Sequence, residues 1–156
     1  MSKEREAGPA VEEGRKLEGA TVGLAIVASE YHSTITQAML DLALQEAERH
    51  GATVRRTVRV PGVYDLPLAV KAAVDRKDVD AVVTLGAVLK GETDHDQVIM
   101  HAVAKQLLEI SVESGKPVAL GVTGPGETLG QARARIGRAQ GAVRAAILMV
   151  GRLRAL

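Results

Sequence analysis

A chain of 156 residues, 46% hydrophobic and 25% charged, with a formal net charge of +1, has the size and make-up of one globular domain. That charge balance excludes a strong electrostatic field for nucleic acid or an anionic membrane surface, and the absence of cysteine excludes disulfides and thiolate metal sites. No apolar run is long enough to span a bilayer, and the first 20 residues hold no apolar leader, so the expected compartment is the cytoplasm.

Residues 1–18 are charged, glycine-containing and without period; they read as a flexible arm, and residues 19–156 as the folded domain. Thr21 to Ala28 is a short continuous apolar run, as expected of a strand buried on both faces. Ser33 or Thr34 then caps a helix to about His50, with Ile35, Met39, Leu42 and Ala47 at helical spacing and Gly51 just past its end. Thr53 to Val60 is β-branched and reads as a second strand, broken by Pro61-Gly62. Leu66 to Val74 is a helix with Pro67 in its first turn. Asp80 to Gly86 is a third strand, and a polar loop leads from it into a long helix from about Asp94 to Ser114. Lys116-Pro117 restarts the chain into a fourth strand, Val118 to Val122. Gly124-Pro125-Gly126 is expected to form a turn and residues 127–137 a short helix. Residues 138–154 form a last helix with an apolar stripe that serves the core or a subunit interface.

Buried strands alternating with helices imply an α/β fold: a three-layer α/β/α arrangement around a four-stranded parallel sheet. Right-handed crossovers leave few topologies, and the flavodoxin-like order 2-1-3-4 is the simplest. Ligands of such sheets bind outside the carboxyl ends of the strands, here residues 29–32, 61–65, 87–95 and 123–128.

Those edges hold the residues with chemistry. Aromatics are 1% of the chain, and the only two, Tyr31 and Tyr64, both fall there. Their faces suit a planar heterocycle, although surface loops also tolerate tyrosine. Gly91-Glu92-Thr93 precedes the third helix, whose N-terminus suits phosphate; the alternative is a plain cap made by Thr93 or Asp94. His95, flanked by Asp94 and Asp96, is either a general acid and base or a solvated loop histidine. Asp94, His95, Asp96 and His101 make a poor metal set, since residues 95 and 101 share no helix face, and no metal is expected. Arg133, Arg135 and Arg138 read either as phosphate partners or as a solvated face. Absent asparagine and frequent arginine hint at a thermophile.

Several of these segments, in order, resemble the 6,7-dimethyl-8-ribityllumazine synthases. Val60-Pro61-Gly62-Val63-Tyr64-Asp65-Leu66-Pro67 is similar to one signature of that family, and the run from Leu85 to His95 to another. Ser29-Glu30-Tyr31-His32 sits where the family has a Ser-x-Phe-Asn turn, and the stretch from Gly121 to Thr128 with Gln131-Ala132 resembles the archaeal branch. The resemblance spans roughly residues 19–154.

It implies a transferase of riboflavin biosynthesis. 5-Amino-6-(D-ribitylamino)uracil condenses with 3,4-dihydroxy-2-butanone 4-phosphate through a Schiff base, phosphate leaves, and the ring closes, with no metal or organic cofactor. By the same resemblance Tyr31 stacks on the pyrimidine. Val63, Tyr64 and Asp65 hold the ribityl chain and ring, and Ala87, Val88 and Leu89 line the uracil edge. Leu120 stands where a ring-packing Phe is common. Gly91, Glu92 and Thr93 seat the phosphate, His95 transfers protons, and Arg135 reaches the phosphate from a neighbouring subunit. That last role implies a homo-oligomer, a pentamer, with a sixty-subunit icosahedral shell and a riboflavin synthase companion as further family properties. Departures are His32 for the turn asparagine, Asp96 for an aromatic, and Leu120. Two alternatives stay open. A non-catalytic flavin- or lumazine-binding shell protein would keep the tyrosines without needing His95. The related archaeal riboflavin synthase is less favoured by the Gly91–His95 segment.

Overall fold

The computed structural model describes residues 21–91 and 93–156; the arm expected over residues 1–18 lies outside them. The elements in order are β1 (Gly23–Ser29), α1 (Ser33–Arg49), β2 (Thr53–Val60), a 3₁₀ turn (Val63–Asp65), α2 (Leu66–Val74), β3 (Ala81–Leu89), α3 (His95–Ser114), β4 (Val118–Glu127), α4 (Leu129–Ala134) and α5 (Arg138–Arg154). The four strands are parallel, in the expected order β2-β1-β3-β4. Among the described residues no helix is long and apolar enough to cross a membrane.

Side-chain alternation divides the central strands between two cores. Leu24, Ile26 and Ala28 of β1 join Val83, Leu85 and Ala87 of β3 beneath α1 and α5. Ala25 and Val27 join Val82 and Val88 beneath α2 and α3. Both parities must therefore be apolar, which is why β1 reads as a continuous run. The edge strand β2 is largely exposed and carries Arg55, Arg56 and Arg59, charges that discourage pairing with another chain.

Three local expectations are corrected. First, α1 is capped neither by Ser33 nor by Thr34. His32 takes the N-cap position in the left-handed region (φ 60°, ψ 53°), and its carbonyl accepts the Ile35 and Thr36 N–H groups at 3.0 and 3.1 Å. Histidine, like asparagine, is among the few side chains that tolerate this conformation. Second, β4 does not end at Val122. Ala87 pairs with Thr123 and Leu89 with Glu127, so Val88 alone faces residues 124–126: Gly124-Pro125-Gly126 is a bulge inside the strand. Gly124 has φ 94°, and a Cβ there would overlap the Val88 carbonyl oxygen, so no other residue fits. Third, the helix expected over residues 127–137 shrinks to Leu129–Ala134. It is fixed by a reciprocal cap in which the Gln131 N–H donates to the Thr128 hydroxyl and the Thr128 N–H to the Gln131 amide oxygen.

Between α1 and α5 lies a buried ionic cluster. The Glu46 carboxylate meets His50 Nε2 at 2.7 Å and receives a hydrogen bond from Arg144 at 3.2 Å, all three residues being buried. Burial works to raise the Glu46 pKa, but the bonds and charges of His50 and Arg144 outweigh it and hold the carboxyl below its ordinary value of 4.5. Glu46 thus binds a proton more weakly folded than unfolded. Its stabilising contribution is present above pH 4.5 and is lost as pH falls through the lower folded value. Glu46→Gln is expected to cost about 2 kcal/mol in denaturant unfolding at pH 7. The gap from the parent protein should narrow when the titration is repeated well below pH 4.5.

Candidate functional site

The carboxyl ends of β1 and β3, the turn after β2 and the start of α3 enclose a cavity of about 270 Å³. Tyr31, His32, Gly62, Val63, Tyr64, Ala87, Val88, Leu89, Gly91, Thr93, His95, Asp96 and Ile99 line it.

Each wall has a local cause. The Glu30 N–H donates to the Val60 carbonyl at 2.7 Å and the Tyr31 N–H to the Pro61 carbonyl at 3.1 Å, so the exits of β1 and β2 are tied side by side. This places both tyrosines on one rim. They are 70% and 74% exposed, which removes them from the core and leaves their faces for a ligand. The His32 ring meets Tyr31 edge-on, with centroids 4.7 Å apart. Asp65 does not line the cavity. Its carboxylate accepts the Gly62 N–H at 3.0 Å and so holds the turn that presents Val63 and Tyr64. Ala87, Val88 and Leu89 lie on the part of β3 that runs past the sequence-expected end at Gly86.

The opposite wall is the N-terminus of α3. Asp94 is the N-cap residue, and no side chain caps it. Asp94 thus holds the N-cap position that the plain-cap reading gave it, without a side-chain capping bond; the Gln97 N–H turns back to the Asp94 carbonyl at 3.1 Å, and the start of this 20-residue helix faces the cavity beside Thr93 and His95. The Asp96 carboxylate is buried and accepts the Gly126 N–H at 2.8 Å. Asp96 thus fastens the start of α3 to the β4 bulge. Among the described residues no His, Asp and Glu group fit to hold a metal is found.

The structure brings together Tyr31, Val63, Tyr64, Ala87, Val88, Leu89, Gly91, Thr93 and His95. Glu92 lies outside the described residues. Leu120 and Arg135 do not reach the cavity of their own chain. Leu120 is 41% exposed and lines a separate groove along β4 with Gly137, Arg138 and Arg144. Arg135 ends α4 and pairs with Glu127 at 3.2 Å. His32 and Gly62, which fall in the strand-end segments expected to meet a ligand but were given no role there, also line the cavity, and Asp96 and Ile99 line it from beyond those segments. Ile99 had a signal, since it lies four residues beyond His95 on one helix face. The Asp96 contact had none, because it spans 30 residues.

A mostly apolar cleft with aromatic rims, an anion-suited helix end and one histidine beside it is arranged for a planar, phosphate-bearing substrate pair. Comparison with known proteins agrees. The family model described as 6,7-dimethyl-8-ribityllumazine synthase matches residues 21–154. A protein of that name from Methanopyrus kandleri is 49% identical over 135 residues, 86% of this chain and 96% of its own. One from Pyrobaculum arsenaticum is 48% identical over 136 residues, 86% of this chain and 91% of its own. Another from Methanosarcina mazei is 47% identical over 133 residues, 85% of this chain and 99% of its own. With the cavity, the parallel sheet and matches of this extent in agreement, the chain belongs to the 6,7-dimethyl-8-ribityllumazine synthase family.

Proposed function

We propose that this protein condenses 5-amino-6-(D-ribitylamino)uracil with 3,4-dihydroxy-2-butanone 4-phosphate to give 6,7-dimethyl-8-ribityllumazine and phosphate. The observation that carries this reading is the placement of Thr93 and His95, at an uncapped helix start, across one cavity from the Tyr31 and Tyr64 rim. The uracil ring packs on Tyr31, with its edge along Ala87, Val88 and Leu89. The ribityl chain runs by Val63 and Tyr64, on the turn that Asp65 holds. Gly91, Glu92, Thr93 and the first N–H groups of α3 receive the phosphate. The ring amine adds to the ketone and water leaves, forming the imine. A proton is then removed as phosphate departs, and the ribityl-bearing nitrogen closes the second ring with loss of another water. His95 is the group placed to move these protons.

Among the described residues that line the cavity there is no lysine or arginine, and Arg135 of a neighbouring subunit completes the phosphate seat. A ring of five subunits is the arrangement proposed. Exposed Leu68 on α2 and Val98, Leu108 and Val112 on α3 are the kind of apolar surface such a ring would bury. The family resemblance supports a larger sixty-subunit shell, a riboflavin synthase companion and a cytoplasmic setting, and the lack of asparagine supports a thermophilic one.

Purified protein given both substrates should release phosphate and form the lumazine, followed by absorbance and fluorescence. A folded, assembled protein that binds riboflavin but yields no lumazine would sink the enzyme reading in favour of a binding shell.

A further inference from the structure

We infer that Glu127 is a positioning residue for this reaction, holding the Arg135 guanidinium in the orientation that meets the substrate phosphate. The inference rests on the proposed phosphate role of Arg135.

Glu127 is the last residue of β4 and is fully buried. A buried carboxylate is costly unless its oxygens are partnered. Here each oxygen has a partner. The Thr123 hydroxyl donates to Oε1 at 2.6 Å, and Arg135 Nη1 donates to Oε2 at 3.2 Å. The surrounding backbone is fixed from two sides. The Glu127 carbonyl accepts the Lys90 N–H at 2.8 Å, and the Gly126 N–H donates to Asp96 at 2.8 Å. The carboxylate is therefore a rigid post, anchored to β3 and α3, the elements that shape the cavity.

Arg135 has little else to hold it. It follows a helix of six residues, and its side chain is 47% exposed. A free arginine side chain carries about 2 kcal/mol of rotamer entropy. A guanidinium has five N–H donors. One bond to Glu127 orders the group and leaves the other donors for the oxygens of an anion. Threonine and glutamate, four residues apart across the bulge, thus aim an arginine eight residues further on.

The test uses the full-length assembled protein and steady-state kinetics in both substrates, with Glu127→Ala, Glu127→Gln, Arg135→Ala and the double variant Glu127→Ala/Arg135→Ala. Glu127→Ala should raise the KM for the phosphorylated ketone about tenfold, the factor that ordering one long side chain contributes. It should leave the KM for the uracil substrate and kcat within about twofold, a split that a general loss of structure would not produce. Glu127→Gln, which keeps an acceptor for the guanidinium, should bring the ketone KM back to within about threefold of the parent. In the Arg135→Ala background, Glu127→Ala should add nothing, because the two act as one unit. Full additivity, equal losses for both substrates, or a Gln variant as poor as Ala would each overturn the inference. An Arg135→Ala protein with an unchanged ketone KM would instead overturn the phosphate role on which it rests. If Glu127→Ala does not fold, Glu127→Asp makes the same comparison, being one methylene too short to span Thr123 and Arg135. An unchanged ketone KM in that variant would equally overturn the inference.

Discussion

Replacing His95 with alanine should lower turnover at saturating substrates by about 10²- to 10⁴-fold, the contribution of one well-placed general acid and base. His95 is the first residue of α3, held by a helix start that Asp96 fastens to the Gly126 N–H at 2.8 Å. The cavity offers one other imidazole, His32, which serves as the left-handed N-cap residue of α1 and packs edge-on against Tyr31. His32→Asn keeps the backbone requirement and removes the ring, so it separates the two histidines. His32→Asn should lose far less turnover than His95→Ala. The measurement is initial lumazine formation, with the assembly state of each variant checked by light scattering. A His95→Ala loss below about tenfold would mean that the condensation runs on proximity alone.

The second large effect is expected from Arg135→Ala. A charge-assisted hydrogen bond to phosphate is worth about 1.5–3 kcal/mol, which corresponds to a fall of roughly 10- to 150-fold in kcat/KM. The loss should fall on the phosphorylated ketone and spare the uracil substrate. Inorganic phosphate should also inhibit the variant more weakly than the parent, which competition assays read directly. Nothing in the single-chain cavity anticipates this, because Arg135 does not line it and instead pairs with Glu127 at 3.2 Å. An equal loss for both substrates would point to damage of the fold.

The fold was legible in the sequence wherever burial imposes a pattern. β1 must be apolar on both faces because helices cover both sides of a central parallel strand, and its unbroken run of buried residues reflects that. The rim tyrosines were legible for the opposite reason: an aliphatic core had no use for them. Local rules failed where long-range geometry took over. Gly124-Pro125-Gly126 carries every sign of a turn, yet pairing of Leu89 with Glu127 keeps the chain in the sheet. Ser33 and Thr34 are better caps than histidine by propensity, but the sharp exit from β1 places His32 at the N-cap position. The Glu46 to Arg144 contact spans 98 residues and leaves no trace in the local pattern of either. The site was legible in the same measure. The part of the cavity lining built by consecutive residues at strand ends could be read from the pattern, whereas the place of Arg135 outside its own chain's cavity came only from the family resemblance.

In the proposed ring each site is divided between two chains. Mixing His95→Ala and Arg135→Ala subunits, by co-expression or by dissociation and reassembly, tests this claim most directly. In a mixed ring some cavities combine an intact His95 from one subunit with an intact Arg135 from its neighbour. Random mixing of equal amounts should restore about one quarter of the parent activity, since each such cavity needs two particular neighbours in one order. Mixed rings, verified by native mass spectrometry, that show no more activity than the two variants kept apart would contradict the claim and place the whole site within a single chain.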